Sequence, residues 1–175
     1  VLRTLIRDEQ VSLTLIDATK LVSEAVRLHH LTPSSSIILG KALAAATFMS
    51  ACLKEETGEI SVTVRGDFGS LCVSGNRKLY IRGYIDSAEN WKSYGFGNKG
   101  TFTVVRDDGY SRPFVGTCAL PENGDADGAF EEYYRISEQL PTFIATVVEM
   151  SEEGKCTFAS AVVLQPLPFA DEKTI

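Results

Sequence analysis

Much of what common protein chemistries require is scarce in this 175-residue chain. It has two histidines, His29 and His30, and they are adjacent. On a helix neighbours point about 100° apart, so the pair cannot grip one ion from a single face. The four cysteines, Cys52, Cys72, Cys118 and Cys156, lie far apart in apolar or strand-like settings with no Cys-x-x-Cys among them. They are expected to be reduced core thiols, since a chain of this size needs no disulfide staples. No zinc or other metal site is expected within the chain. Basic residues are the minority charge, 17 Lys and Arg against 23 Asp and Glu, for a net charge of −6. No local basic patch offsets that balance, which argues against nucleic acid or an anionic membrane as a partner. A long hydrophobic run is also missing: residues 42–53 are bounded by Lys41 and Lys54 and interrupted by Thr47 and Ser50, short of the roughly 18 apolar residues a span requires. No secretory signal is recognisable, so a soluble, cytoplasmic protein is expected. The chain also lacks an initiator Met and ends on a Pro-containing, charged stretch at 165–175, so it is expected to be a piece of something longer.

What is present is a globular composition, 44% hydrophobic and 23% charged, enough for one domain with a sizeable core. Val11, Leu13 and Leu15 alternate with Ser12 and Thr14, the period-two pattern of a half-buried strand that 1–6 can pair with. Asp17 is placed to cap a helix to about His29, with Leu21, Val22, Ala25 and Val26 on one face. Thr32-Pro33 starts a second helix, to about Leu53, apolar nearly all round and therefore central and buried. Period two returns at 60–64, 71–73 and 79–85, with Gly75-Asn76 as a turn. After a looser stretch at 86–100 come strands at 101–106 and 114–118 around Asp107-Asp108-Gly109. Asp125 caps an amphipathic helix carrying Phe130, Tyr133, Tyr134 and Ser137, stopped before Pro141. A last hairpin joins 142–150 to 157–164. Strand pairs separated by helices give an α+β fold: two packed mixed or antiparallel β-layers with a central buried helix and two further helices.

Motif matches are weak. Gly95, Gly97 and Gly100 form a Gly-x-Gly-x-x-Gly, but a strand-like 101–106 follows where a phosphate-binding helix should begin. Serines 34–36 sit in a helix's first turn, and Gly116-Thr117-Cys118 resembles a strand end rather than a nucleophile elbow. The pairs Asp107-Asp108, Glu131-Glu132 and Glu152-Glu153 fit solvated turns and helix surfaces. No catalytic residue is assigned and no enzyme is expected; a small enzyme using Cys118 or an acidic pair is a subordinate reading. Aromatics are more suggestive. Tyr80 and Tyr84 alternate with Leu79, Ile81 and Ile85, and Phe96 sits in a glycine loop; unless a helix covers it, such an apolar face calls for a partner.

The block Glu131-Glu132-Tyr133-Tyr134-Arg135-Ile136-Ser137-Glu138-Gln139-Leu140-Pro141-Thr142 closely resembles the helix-to-strand signature of the heat shock protein 33 family of redox-regulated chaperones. Leu39-Gly40-Lys41-Ala42-Leu43, Lys54, Gly58-Glu59-Ile60-Ser61-Val62-Thr63-Val64-Arg65-Gly66-Asp67 and Arg82-Gly83-Tyr84 agree in order and spacing, so the resemblance spans essentially the whole chain. It implies an ATP-independent holdase of the cytosol, dimeric when active, that binds unfolded client proteins under oxidative or heat stress. It further implies a carboxy-terminal zinc domain whose oxidation is the switch, with its cysteines beyond Ile175 and no cofactor in this portion. Residues 1–165 are then the chaperone core, for client binding and dimerisation, and 166–175 the start of a linker. Tyr80, Tyr84 and Phe96 are the expected client contacts, unless they pack internally or at a dimer interface. The alternative function is an unregulated protein-interaction or dimerisation module.

Overall fold

The computed structural model describes residues 1–88 and 91–171. Nine strands form two antiparallel sheets, with helices between and beside them. The four-stranded sheet is built from β1 (Leu2–Ile6), β2 (Val11–Asp17), β8 (Phe143–Met150) and β9 (Cys156–Pro166), in the order β1-β2-β9-β8. The five-stranded sheet contains β3 (Glu59–Gly66), β4 (Gly69–Asn76), β5 (Arg82–Ser87), β6 (Gly100–Asp107) and β7 (Phe114–Ala119), in the order β5-β4-β3-β6-β7. All neighbours in both sheets are antiparallel.

Helix α2 (Pro33–Ala51) lies in the middle. Thr32 caps it, its hydroxyl accepting the Ser35 N–H at 3.3 Å, and Pro33 begins it. By length and composition it could cross a membrane, but it is the core helix, and most of it is buried against β2, β4, β8 and β9. A chain of alanines, Ala42 and Ala44 to Ala46, together with Gly40, allows close approach on all sides. A Cβ added at Gly40 would come within 2.9 Å of both Val22 and Val148. Aromatic packing closes the rest of the core, with Phe102 edge-on to Phe130 at a 4.8 Å ring separation.

Several boundaries differ from those expected, each for a local reason. Asp17 ends β2 and Ala18 holds the cap position of α1 (Thr19–His29), although the Asp17 carboxylate still accepts the Thr19 N–H at 3.0 Å. Gly75 is inside β4, paired with Ile60, rather than in a turn; Ser50 and Ile81 leave no room there for a Cβ. The turn comes later, where the Asn76 side-chain oxygen accepts N–H groups from Lys78 and Tyr80 at 3.0 and 3.1 Å and Leu79 takes a φ of 61°. The strand expected at 79–85 therefore starts only at Arg82. The helix capped by Asp125, α3 (Ala126–Tyr133), gives way to a π-helical turn at Tyr134–Glu138 that ends on left-handed Gln139. The wider turn lets the Tyr133 hydroxyl donate to Glu138 at 2.7 Å while Arg106 on β6 donates to the same oxygen at 2.5 Å. β9 continues through Pro166, one residue into the stretch expected to open a linker. Beyond it the Leu167 N–H donates to the Gln10 carbonyl at 2.8 Å and the Asp171 N–H to the Gln10 side chain at 2.9 Å.

Candidate functional site: the outer face of the four-stranded sheet

Alternation along a strand makes one face of each sheet the core's, and the other belongs to solvent or a partner. In β2 the buried parity is Ser12, Thr14 and Ile16, while Leu13 and Leu15 point away from the core. The pattern Val11, Leu13, Leu15 is thus real, but its apolar half is the outer one. On the inner face Ala161 pairs with Ile16 and Val163 with Thr14, so small and large side chains together pack toward α2. Ser12 is satisfied there by the Arg3 Nε–H at 3.1 Å.

The outer face then reads as rows across the sheet. One row is Leu2, Leu15, Val162 and Ala145; the next is Thr4, Leu13, Leu164 and Phe143. Val147 and Phe158 extend it along β8 and β9, and charge enters only at one end, through Asp17 and Glu149. Leu2 is 60% exposed, Phe143 54%, Phe158 44% and Val147 40%. Burying one such side chain is worth about 1.5–3 kcal/mol, so a contiguous set of them is a surface that gains strongly from any apolar cover.

The opposite face of the five-stranded sheet is chemically different. Its central row is Tyr84, Cys72, Thr63, Thr103 and Thr117. Thr103 and Thr117 share a hydroxyl hydrogen bond of 3.1 Å, and Thr63 donates to the Cys72 sulfur at 3.8 Å. Serines 61, 70 and 74 fill the neighbouring rows. The residues expected to touch clients divide around this sheet. Tyr84, 57% exposed, stands on edge strand β5, and Tyr80, 74% exposed, in the turn before it; both border a shallow groove with His29, Cys72 and Arg82. Phe96 is instead wholly buried, its ring 5.5 Å from that of Phe68, so it presents nothing to a partner in this conformation. The three do not form one patch.

The remaining motif residues have structural settings. Gly95 lies against the Gly124 carbonyl and Gly100, at φ 147°, against that of Arg65, so these glycines allow close backbone contact and lead into a strand. His30 is the left-handed cap of α1. Among the described residues no group of three or more His, Cys, Asp or Glu gathers as a metal site. Burial raises the Cys52 and Cys156 thiols and pushes Cys118 up to about 11, which disfavours the thiolate a nucleophile needs.

Comparison with known proteins agrees with the sequence resemblance. The family described as "Hsp33 protein" matches residues 1–175. The chain belongs to the Hsp33 family. Its relatives include the 33 kDa chaperonin of Alkaliphilus oremlandii, 30% identical over 187 residues covering 100% of this chain and 62% of that protein. The 33 kDa chaperonin of Acetivibrio thermocellus is 31% identical over 168 residues, 90% of this chain and 56% of that one. A crystal structure of the 33 kDa chaperonin from Thermotoga maritima has the same fold, with a TM-score of 0.80 at 23% identity over 94% of this chain and 59% of its own. The α+β architecture expected from sequence is therefore that of the Thermotoga protein, and the relatives carry the name 33 kDa chaperonin. The chain spans 56–62% of the length of these relatives.

The apolar outer face was missed by sequence reasoning, although its signal was present. In Ala161-Val162-Val163-Leu164 and in Phe143-Ile144-Ala145 both parities are apolar, which a one-sided sheet does not need.

Proposed function

We propose that this chain is the client-binding body of an ATP-independent holdase, and that the outer face of the four-stranded sheet is its client surface. The observation that carries this is the apolar outer face, on which Leu2, Leu15, Phe143 and Val147 are solvent-open and are joined across β9 by Val162 and Leu164. A holdase needs no catalytic constellation, only apolar area that is bared when unfolded protein is present. Unfolded clients expose just such side chains, and association removes both from water. The partner proposed is unfolded protein, not nucleic acid or membrane, and the compartment is the cytoplasm.

Control is assigned to polypeptide beyond Ile175. We place there the redox-sensitive zinc cysteines of the resemblance, and we take the segment from 166 onward as the linker that leads to them. That segment leaves the domain beside the β1–β2 turn, held by Gln10, at a corner of the apolar face it is proposed to cover at rest. A homodimer is proposed for the active state. Tyr80 and Tyr84 stand as a secondary contact area.

The test is light scattering of a chemically denatured client diluted without nucleotide, with and without equimolar chain, under reducing and oxidising conditions. Suppression in both conditions, lost in a Leu15→Asp, Val147→Asp variant that keeps its circular dichroism, is expected. A folded chain that suppresses nothing removes the holdase reading. The interaction-module reading is then favoured if sedimentation shows a dimer that the same substitutions dissociate.

A further inference from the structure

A sheet has edges as well as faces, and the two edges of the four-stranded sheet are treated differently. At the β8 edge, two successive backbone N–H groups that point away from β9 are already used. The Ile144 N–H donates to Glu131 at 2.8 Å and the Thr146 N–H to Asp127 at 3.0 Å. Thr146 also donates its hydroxyl to Asp127, and Lys41 steadies that carboxylate at 3.6 Å. Asp127 and Glu131 are four apart on α3, about 6 Å along a helix, which matches the roughly 6.7 Å between alternate strand residues. Two carboxylates thus occupy two successive donors of the edge, so a new strand finds them taken.

β1, at the other edge, has no such guard. Among the described residues no strand lies beyond it, and Leu2 to Leu5 are exposed. Since Ile144 and Thr146 point out of β8, alternation carried across β9 and β2 directs the Leu2, Thr4 and Ile6 amides toward β2 and those of Arg3 and Leu5 outward. Of the usual blunting devices Leu2–Ile6 lacks proline, a bulge and lysine and keeps only a charge on the inner parity, Arg3. Its one charge, Arg3, is turned back across the sheet to Ser12.

We propose that the sheet takes an extended segment of an unfolded client as an added strand along β1. This rests on the client-binding reading above and supplies its binding mode. The occupant follows from chemistry. Only an extended backbone satisfies a row of alternating donors and acceptors, and Leu2 ends the row that continues through Leu15 and Val162. A strand added beside it extends that row with every second side chain, so the favoured segment alternates apolar and polar residues. Backbone bonds make the mode tolerant of sequence, as a holdase requires.

The experiment uses a fluorescent nonapeptide of alternating Val and Thr, and a copy N-methylated at alternate amides, with binding followed by anisotropy. Methylation is expected to weaken binding to the unaltered chain at least ten-fold. Leu5→Pro removes an N–H that no internal ladder bond uses, and its affinity relative to Leu5→Ala isolates that N–H; a further loss of about five-fold or more is expected. Equal binding of both peptides overturns the edge mode whether or not Leu5→Pro folds. If both peptides bind equally and Leu15→Asp, Val147→Asp abolishes binding, the face binds clients and the edge does not. If Leu5→Pro turns a dimer into a monomer with client binding intact, β1 pairs with a second copy and the proposal fails. A chain that neither binds peptide nor suppresses aggregation loses the functional reading along with this one.

Discussion

The two sheets share one core but present opposite surfaces. Facing inward, the five-stranded sheet carries large aliphatics and an aromatic, Ile60, Val62, Val64 and Phe102, whereas the four-stranded sheet mixes Ser12, Thr14, Ala159 and Ala161 with Ile16, Ile144 and Val163. Facing outward the balance shifts: threonines and serines form most of the middle of the first, with Tyr84 and Val115 toward its edges, and leucine, valine and phenylalanine dominate the second. Folding alone does not ask for this arrangement. If stability were the only requirement, the strongest apolar parity of β2 would lie against α2. The difference teaches that apolar area has been reserved for the outside of one sheet, and that the other sheet, with its hydroxyl cover, serves as the stable wall.

The largest effect is expected where that comparison collapses, in the shared core. Phe102→Ala removes the edge-on contact with Phe130 and the neighbouring contact with Tyr133. A loss of about 3–5 kcal/mol is expected, measured by urea denaturation, and it should remove the behaviour of both faces together. Next comes the comparison itself. Leu15→Asp with Val147→Asp should lower aggregation suppression more than ten-fold while moving the denaturation midpoint little. Thr63→Asp with Thr103→Asp on the other sheet should leave suppression near its starting level. Equal losses from both pairs would mean that the two faces do not differ in function.

Much of the fold was legible because its signals are local. Thr32-Pro33 and the alanine-rich run of α2, the capping Asp125 and the period-two strands each state their element within a few residues. The family was legible from the block 131–142, where Tyr133, Glu138 and the buried Tyr134 are tied together. What could not be read is which half of an alternation faces in. Leu13 and Leu15 are apolar, and only the approach of α2, permitted by Gly40 and its alanines, puts Ser12 and Thr14 inside. Phe96 failed for a related reason: a glycine-rich loop reads as exposed, yet Gly95 and Gly100 are small so that the loop can pack close and bury the ring. The π-turn at Tyr134–Glu138 arises from the Glu138 contacts with Tyr133 and Arg106, the latter 32 residues away in sequence.

The comparison extends to the thiols. Cys118 is on the inner face of the five-stranded sheet and its thiol is pushed up to about 11, chiefly by burial, while Cys72 lies on the hydroxyl-covered outer face. Iodoacetamide at pH 7.5 should leave Cys118 unmodified in the folded chain over a time in which Cys72 is alkylated, as read by peptide mass spectrometry. Fast labelling of Cys118 would revive the enzyme reading that its setting now disfavours.

The smallest effect concerns the turns that close one hairpin in each sheet. The β1–β2 turn carries three successive non-glycine residues at positive φ, Arg7, Asp8 and Glu9, while the β6–β7 loop is organised by two carboxylates, Asp107 accepting the Gly109 N–H at 2.8 Å and Asp108 making the larger set. Asp108 accepts N–H groups from Tyr110 and Ser111 at 2.8 and 2.7 Å and the Ser111 hydroxyl at 2.6 Å. These bonds favour the ionised form and hold its pKa at about 2, below the usual 3.8. A depressed carboxyl stabilises the folded loop above its unfolded value and loses that contribution as pH falls from 3.8 toward 2. Because Asp108 lies in a surface loop, global stability should change little, and the signal should be local. The amide resonances of Tyr110 and Ser111 should titrate with a midpoint near 2, and Asp108→Asn should abolish that titration. A midpoint near 4 would show that the Asp108 carboxylate does not organise the loop, and would leave Asp107 as the carboxylate that sets it apart from the β1–β2 turn.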